Sequence, residues 1–168
     1  LLIGHRGHVE MEGTMGEAPG ASILIETKEE AEQLHLADPA KTIVLTQTTL
    51  SVDDTAETLA VLKRRFPMIK FPPREDICYA TTNRQAAVKS IAHNVQLFLV
   101  IGAPESSNTM RLVETARKRG INAFCIQRAH DIQEAWLDNV ECIGVTAGAS
   151  APETLVTEVL AWLRAHSA

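Results

Sequence analysis

The chain has 168 residues, of which 45% are hydrophobic and 22% charged, and a formal net charge of −5 at pH 7. That is an ordinary globular composition with enough length for a packed core, as one large domain or two small ones. The acidic balance, the 4% aromatic content and the lack of a basic cluster beyond Lys63-Arg64-Arg65 argue against nucleic acid as the main partner, and no apolar run approaches the roughly 18 residues of a membrane span.

Leu1-Leu2-Ile3-Gly4 opens the chain as an apolar strand without an initiator Met, so a piece of a longer protein is expected. No charged-then-apolar start resembles a signal peptide. The segment Gly4 to Gly16 follows directly, with two His, two Glu and four Gly in Gly4-His5-Arg6-Gly7-His8-Val9-Glu10-Met11-Glu12-Gly13-Thr14-Met15-Gly16. It offers a phosphate-binding His and a proton-delivering carboxylate, and equally a glycine-rich turn with solvated histidines. His5 and His8 alone do not make a zinc site, which needs three or four ligands.

Further strands are expected near 22–26, 42–47, 97–102, 122–126 and 141–146, from short apolar or β-branched runs. Helices are expected over 52–65, 82–93, 108–119 and 151–165, where apolar residues recur at three- and four-residue spacing, as at Leu59, Leu62 and Phe66. Ser51 with Asp54, Thr82 with Gln85, and Ser150 with Glu153 have capping-box spacing, and Pro152 suits a first turn after Ser150. Strand and helix alternate, so an α/β fold with mostly parallel sheets covered on both faces is expected.

An internal repeat divides the chain. Leu2-Ile3-Gly4 recurs as Val100-Ile101-Gly102, and the Ser51-led helix recurs as the Ser150-led helix. Two similar three-layer α/β domains are therefore expected, 1–74 and 75–168, with the break in Phe66-Pro-Met-Ile-Lys-Phe-Pro-Pro-Arg74, whose three prolines end a helix and stiffen the connection. Ligands of such sheets collect beyond the carboxyl ends of the strands. The polar stretches Ser106-Ser107-Asn108 and Thr146-Ala-Gly-Ala-Ser150 stand there, where helix N-termini hold phosphate without a cationic clamp.

Three cysteines in a chain without disulfide-scaffold composition point to a reduced, cytoplasmic setting. Cys125 and Cys142 lie in strand-like runs, where a small buried hydrophobe is expected. Cys78 sits at a helix entrance, where a thiol is biased toward the thiolate that ligates metal.

Taken together, these motifs closely resemble the 4-hydroxy-3-methylbut-2-enyl diphosphate reductase family, iron–sulfur enzymes that end the methylerythritol phosphate route to isoprenoids. Gly7 to Gly16 is similar to the family's GHxExxGTxG, Thr46-Gln-Thr-Thr-Leu-Ser51 to its TQTTLS, and Asp76 to Gln85 to its DICxATxxRQ. Ser106-Ser107-Asn108 and Thr146 to Ser150 resemble its last two motifs, in the family's order. The resemblance implies three α/β domains around a [4Fe–4S] cluster, with this chain as the second and third domains and the first one missing. Only Cys78 of the three cluster cysteines is then present, and the fragment alone is expected to be inactive.

Carried over residue by residue, the resemblance makes Glu10 the proton source for the substrate hydroxyl and Thr48 the residue that orients it. His8, Ser106, Ser107, Asn108 and Ser150 would grip the diphosphate of an allylic substrate, and electrons would come from a donor such as flavodoxin or ferredoxin in the bacterial cytoplasm. Without the family, Thr48 reads as a strand terminator and Glu10 as a solvated carboxylate beside Glu12. Ser51 is a cap alone, and Ser150 is a cap that can also bind. Arg6 and Val9 stand where many relatives carry Glu and Pro. The rival readings are a non-catalytic diphosphate- or nucleotide-binding module and a purely structural fragment, both of which leave Cys78 and Glu10 idle.

Overall fold

The computed structural model describes residues 1–73 and 76–166. These fall into two compact units, Leu1–Cys78 and Tyr79–Ala168. The boundary expected near residue 74 falls on Arg74, which lies outside the described residues.

The first unit runs β1 (Leu2–Ile3), α1 (Val9–Glu17), β2 (Leu24–Ile25), α2 (Lys28–Gln33), β3 (Leu45–Thr46) and α3 (Val52–Arg65). Its sheet is wholly parallel in the order β2-β1-β3, with Leu2 opposite both Leu24 and Leu45. The ladders are shorter than the expected runs, ending at the pairs Ile3–Ile25 and Ile3–Thr46, which Gly4 N to Ile25 O and Gln47 N to Ile3 O close. Ile3, Ile25, Val44, Leu50, Val61 and Leu62 form the core. Helix α3 has the expected bounds: Ser51 Oγ accepts from Asp54 N, acids occupy its first turn, and Lys63, Arg64 and Arg65 its last, each favourable to the dipole.

Helix α1 occupies the glycine-rich segment that left turn and site equally open. Its interior Gly13 and Gly16 weaken it by about 1 kcal/mol each relative to Ala. Other contacts offset this. His8 Nδ1 caps the helix by accepting from Glu10 N, Glu10 and Glu12 fill the first turn, and Met11 is buried beneath Gly4. A Cβ at Gly4 would lie 2.4 Å from Met11 Sδ, so only glycine lets helix and strand approach this closely.

The second unit runs α4 (Tyr79–Ile91), β4 (Leu97–Ile101), α5 (Ser107–Lys118), β5 (Asn122–Ile126), β6 (Ile143–Ala147) and α6 (Glu153–His166). Its parallel sheet has the order β5-β4-β6, the same pattern as the first unit, now with ladders five residues long. Every residue of β4 is buried. The period-two alternation of the strand sends Phe98 and Val100 to one core layer, with Val88, Leu112 and Ala116. Leu97, Leu99 and Ile101 enter the other, with Ile126 and Val159. Three layers result: helix, sheet, helix.

Three local expectations are corrected. Helix α4 begins at Tyr79, so Thr82 lies inside it and cannot be its cap. Helix α6 begins at Glu153, one residue after Pro152. Ser150 sits in the exposed turn closed by Ala151 N on Gly148 O, two residues before the capping position. Cys142 precedes β6 and is exposed, while Cys125 in β5 is only half-buried.

Candidate functional site

In the first unit the site is built on the outer edge of β3 and the residues after it. Thr48 N donates to Glu10 Oε1 and Thr48 Oγ1 donates to Glu10 Oε2, both at 2.9 Å. One half-buried carboxylate is thus held by both oxygens on one threonine. Glu12, two residues away on α1, is exposed, and the geometry separates the two acids that the sequence left side by side. Because His8 Nδ1 accepts from Glu10 N at 3.2 Å, the neutral ring carries its proton on Nε2. Cys78 N donates to Thr48 O at 3.0 Å, so the exposed thiol of Cys78 stands one hydrogen bond away from the residue that holds Glu10.

Gln47 and Arg6 complete this framework. Gln47 is fully buried; its Oε1 accepts from His5 N at 3.0 Å and its Nε2 donates to Thr49 Oγ1 at 2.9 Å, tying the loop after β1 to the loop after β3. Arg6 fastens the same loop to β2 and α2: its backbone N donates to Glu26, and its guanidinium donates to Glu26 and Glu30. The Arg6 backbone bond, with its side-chain bond, holds the Glu26 carboxyl below its ordinary value. The Arg6 side chain does the same for Glu30, and both carboxylates raise the guanidinium in turn.

In the second unit the loops after β4 and β6 meet at the start of α5. Ser106 caps the helix by accepting from Thr109 N at 3.4 Å, and Ser107 is its first residue. Asn108 is 6% exposed; its Oδ1 accepts from Thr81 Oγ1 at 3.1 Å, while its Nδ2 is buried with no partner. A buried donor left unpaired costs about 1–3 kcal/mol, so this end of α5 is made for an acceptor. Thr109 is fully buried between two glycines: a Cβ at Gly102 or Gly148 would lie 2.3 or 2.2 Å from its Oγ1. Arg84 Nε donates to Ala147 O at 3.0 Å and so fixes the start of the loop that carries Ser150. Helix N-terminus, buried amide donor and nearby hydroxyls together suit an oxyanion such as phosphate.

The motifs that build these two sites are those of one family. The model of the LytB protein family matches residues 1–164. The chain belongs to the LytB family. The 4-hydroxy-3-methylbut-2-enyl diphosphate reductase of Neisseria meningitidis serogroup C is 52% identical over 165 residues, covering 98% of this chain and 51% of that protein. The enzyme of the same name from Magnetococcus marinus is 55% identical over 167 residues, covering 99% and 54%. Among solved structures, the E-1-hydroxy-2-methyl-but-2-enyl-4-diphosphate reductase from Plasmodium falciparum superposes with a TM-score of 0.89 at 37% identity, covering 99% of this chain and 52% of that one. The chain therefore spans about half the length of the relatives it matches.

For a LytB chain, the donor set present here fits one thiolate corner of an iron–sulfur cluster. Among the described residues no group of three or more His, Cys, Asp or Glu could hold a metal ion. Cys78 is exposed, so its thiol is accessible to a metal, and its backbone is held by the bond to Thr48 O. Cys125 is unsuited, because its Sγ donates to Gly102 O at 3.3 Å and burial pushes its thiol up. Cys142 lies at the amino end of β6, the opposite end of that strand from the Thr146–Ser150 loop. Gln47, Asp76 and Arg84 sit inside motifs that were recognised for their neighbours; their polarity next to Thr48, Cys78 and the helix start was the available signal.

Proposed function

We propose that the chain supplies the acid and diphosphate machinery of a complete 4-hydroxy-3-methylbut-2-enyl diphosphate reductase. In the overall reaction the allylic carbon–oxygen bond is cleaved, two electrons and two protons are consumed, and isopentenyl and dimethylallyl diphosphates form with release of water. A [4Fe–4S] cluster ligated by Cys78 and by two cysteines outside this chain supplies the electron transfer when bound, drawing on a donor such as flavodoxin or ferredoxin.

The first unit's share is proton placement. Glu10, held at both oxygens by Thr48, delivers a proton to the hydroxyl oxygen so that it departs as water, and Thr48 orients that hydroxyl through the remaining capacity of its Oγ1. His8 offers Nε2–H to a diphosphate oxygen, its Nδ1 being taken by Glu10 N. The second unit's share is the diphosphate. Asn108 Nδ2 gains the acceptor it lacks, Ser106 and Ser107 add hydroxyl and backbone donors at the helix start, and Ser150 donates from its exposed turn.

The observation that carries this reading is the gathering of Glu10, Thr48 and Cys78, from three separate motifs, through two side-chain bonds and one backbone bond. A diphosphate- or nucleotide-binding module would need the start of α5 and leave that gathering without a purpose. A cytoplasmic setting belongs to the same reading, consistent with three free cysteines. The complete protein should lose its iron and sulfide on Cys78→Ser while its far-UV circular dichroism and melting temperature stay near those of the parent. Full iron and sulfide content in that variant would sink the proposal.

A further inference from the structure

The outer edge of β3 is finished by carboxylates. Along this strand the amides of Leu45 and Gln47 face β1, donating to Leu1 O and Ile3 O, and those of Val44, Thr46 and Thr48 face the other way. Val44 N donates to Lys70 O at 2.9 Å and Lys70 N to Thr42 O at 2.9 Å, the start of a parallel pairing in which Lys70 lies opposite Ile43. Continued in register, that pairing would ask residue 72 to donate to Val44 O and to accept from Thr46 N. Residue 72 is proline, which has no N–H to give.

The ladder stops there, and the next outward amide, Thr46 N, donates to Asp76 Oδ2 at 2.9 Å instead of to a carbonyl. Backbone pairing resumes two residues later, where Cys78 N donates to Thr48 O. Donor and acceptor are 28 residues apart at Lys70 and Thr42 but 30 apart at Cys78 and Thr48, so two residues of slack have entered between the two bonds. A segment with slack needs a peg to come back at one position. Asp76 is that peg: its carboxylate takes the strand-edge amide between the two backbone attachments and sets where the chain re-enters.

We infer that Asp76 is the positioning residue for Cys78, substituting for the ladder acceptor that Pro72 interrupts and thereby fixing the thiol beside Thr48 and Glu10. This rests on the reading of Cys78 as a cluster ligand. Asp76 touches neither substrate nor cluster in this role; it acts through the backbone of residues 76–78.

The test uses the complete holoprotein and measures iron release to a chelator together with the electron paramagnetic resonance signal of the reduced cluster. Asp76→Ala, which removes the acceptor, should release iron about tenfold faster, the lower end of what loss of a supporting contact costs a metal site. Asp76→Asn, which keeps an acceptor oxygen, should release iron at the parent rate. Val61→Ala is the control for general destabilisation, lowering the melting temperature through the core while leaving the release rate alone. Parent-rate release from Asp76→Ala overturns the inference, as does equally fast release from a Val61→Ala protein of matched melting temperature. Should Asp76→Ala fail to fold, Asp76→Glu moves the same carboxylate by one methylene and should alter the resonance signal; an unaltered signal overturns the inference. Loss of the cluster in Cys78→Ser alongside parent behaviour in Asp76→Ala removes only the positioning role, whereas a cluster retained in Cys78→Ser removes the reading of Cys78 itself.

Discussion

The two units share a plan and differ in how firmly it is executed. Both place the first strand in the middle of a parallel three-stranded sheet, and both end that strand in a glycine on which a side chain of the next helix presses, Met11 on Gly4 and Thr109 on Gly102. In the second unit the ladders are five residues long and the central strand is wholly buried. In the first they are two residues long, and the edge next to the site is satisfied by Asp76 and Glu10. On the proposed function, the long-laddered sheet would serve as a rigid platform for the oxyanion, whose recognition needs donors that do not move. The short-laddered sheet leaves strand-edge amides over for carboxylates, the groups that the proposed proton delivery requires.

The sharpest break of this division is at Glu10. In the complete protein Glu10→Gln should keep substrate binding while turnover falls by at least about 10², the usual loss with a general acid. Glu12→Gln should leave turnover near normal, because that carboxylate is exposed and outside the Thr48 contact. Equal losses in the two variants would assign the effect to acidity of the neighbourhood.

The glycines test rigidity directly. At Gly102 an added methyl meets the β-branched, fully buried Thr109 and also faces the strain of a φ of 154°, and Gly102→Ala should cost about 3 kcal/mol, the upper end of overpacking penalties. At Gly4 it meets the sulfur end of the flexible Met11, and Gly4→Ala should cost nearer to 1 kcal/mol. Denaturant unfolding measures both, and the reverse order would contradict the contrast between the units.

Ser150→Ala gives a smaller effect of a particular kind. Since Ser150 is not the cap of α6, its loss should weaken diphosphate binding in calorimetry with no fall in melting temperature. The smallest effect is expected at Arg6. Glu26 and Glu30 have folded values depressed by Arg6, so they add stability above their ordinary range, near pH 4, and lose it as pH falls through the depressed values. Arg6→Ala should flatten that acid limb of melting temperature against pH, and only slightly, because the groups are largely solvated.

Sequence pattern located all six strands and the bounds of α3, because apolar runs and a Ser-x-x-Asp start are local signals. It left α1 undecided: a helix with two interior glycines exists through a local cap from histidine, which is not among the usual capping residues, and through the burial of Met11 against Gly4 at the end of β1. Thr82 and Ser150 had the spacing of caps, but α4 begins at Tyr79 and α6 at Glu153, directly after Pro152. At the site, the resemblance assigned Glu10 and Thr48 to one substrate hydroxyl, and the fold adds that Thr48 holds both carboxylate oxygens of Glu10. Motif polarity pointed at Gln47 and Asp76, but their partners and the unpaired amide of Asn108 were not legible, because hydrogen-bond satisfaction is a property of three-dimensional surroundings.

Short ladders also have a consequence for motion. The amides of Leu97 to Ile101 are shielded from solvent by complete ladders and two core layers, so exchange of their hydrogens with heavy water requires the sheet to come apart. The amides of Thr46 and Thr48 are shielded by two side chains, and each can be released by the swing of one carboxylate. Order at the end of β3 is therefore held by carboxylate contacts more than by cooperative sheet structure, and it can loosen locally while the rest of the first unit stays folded.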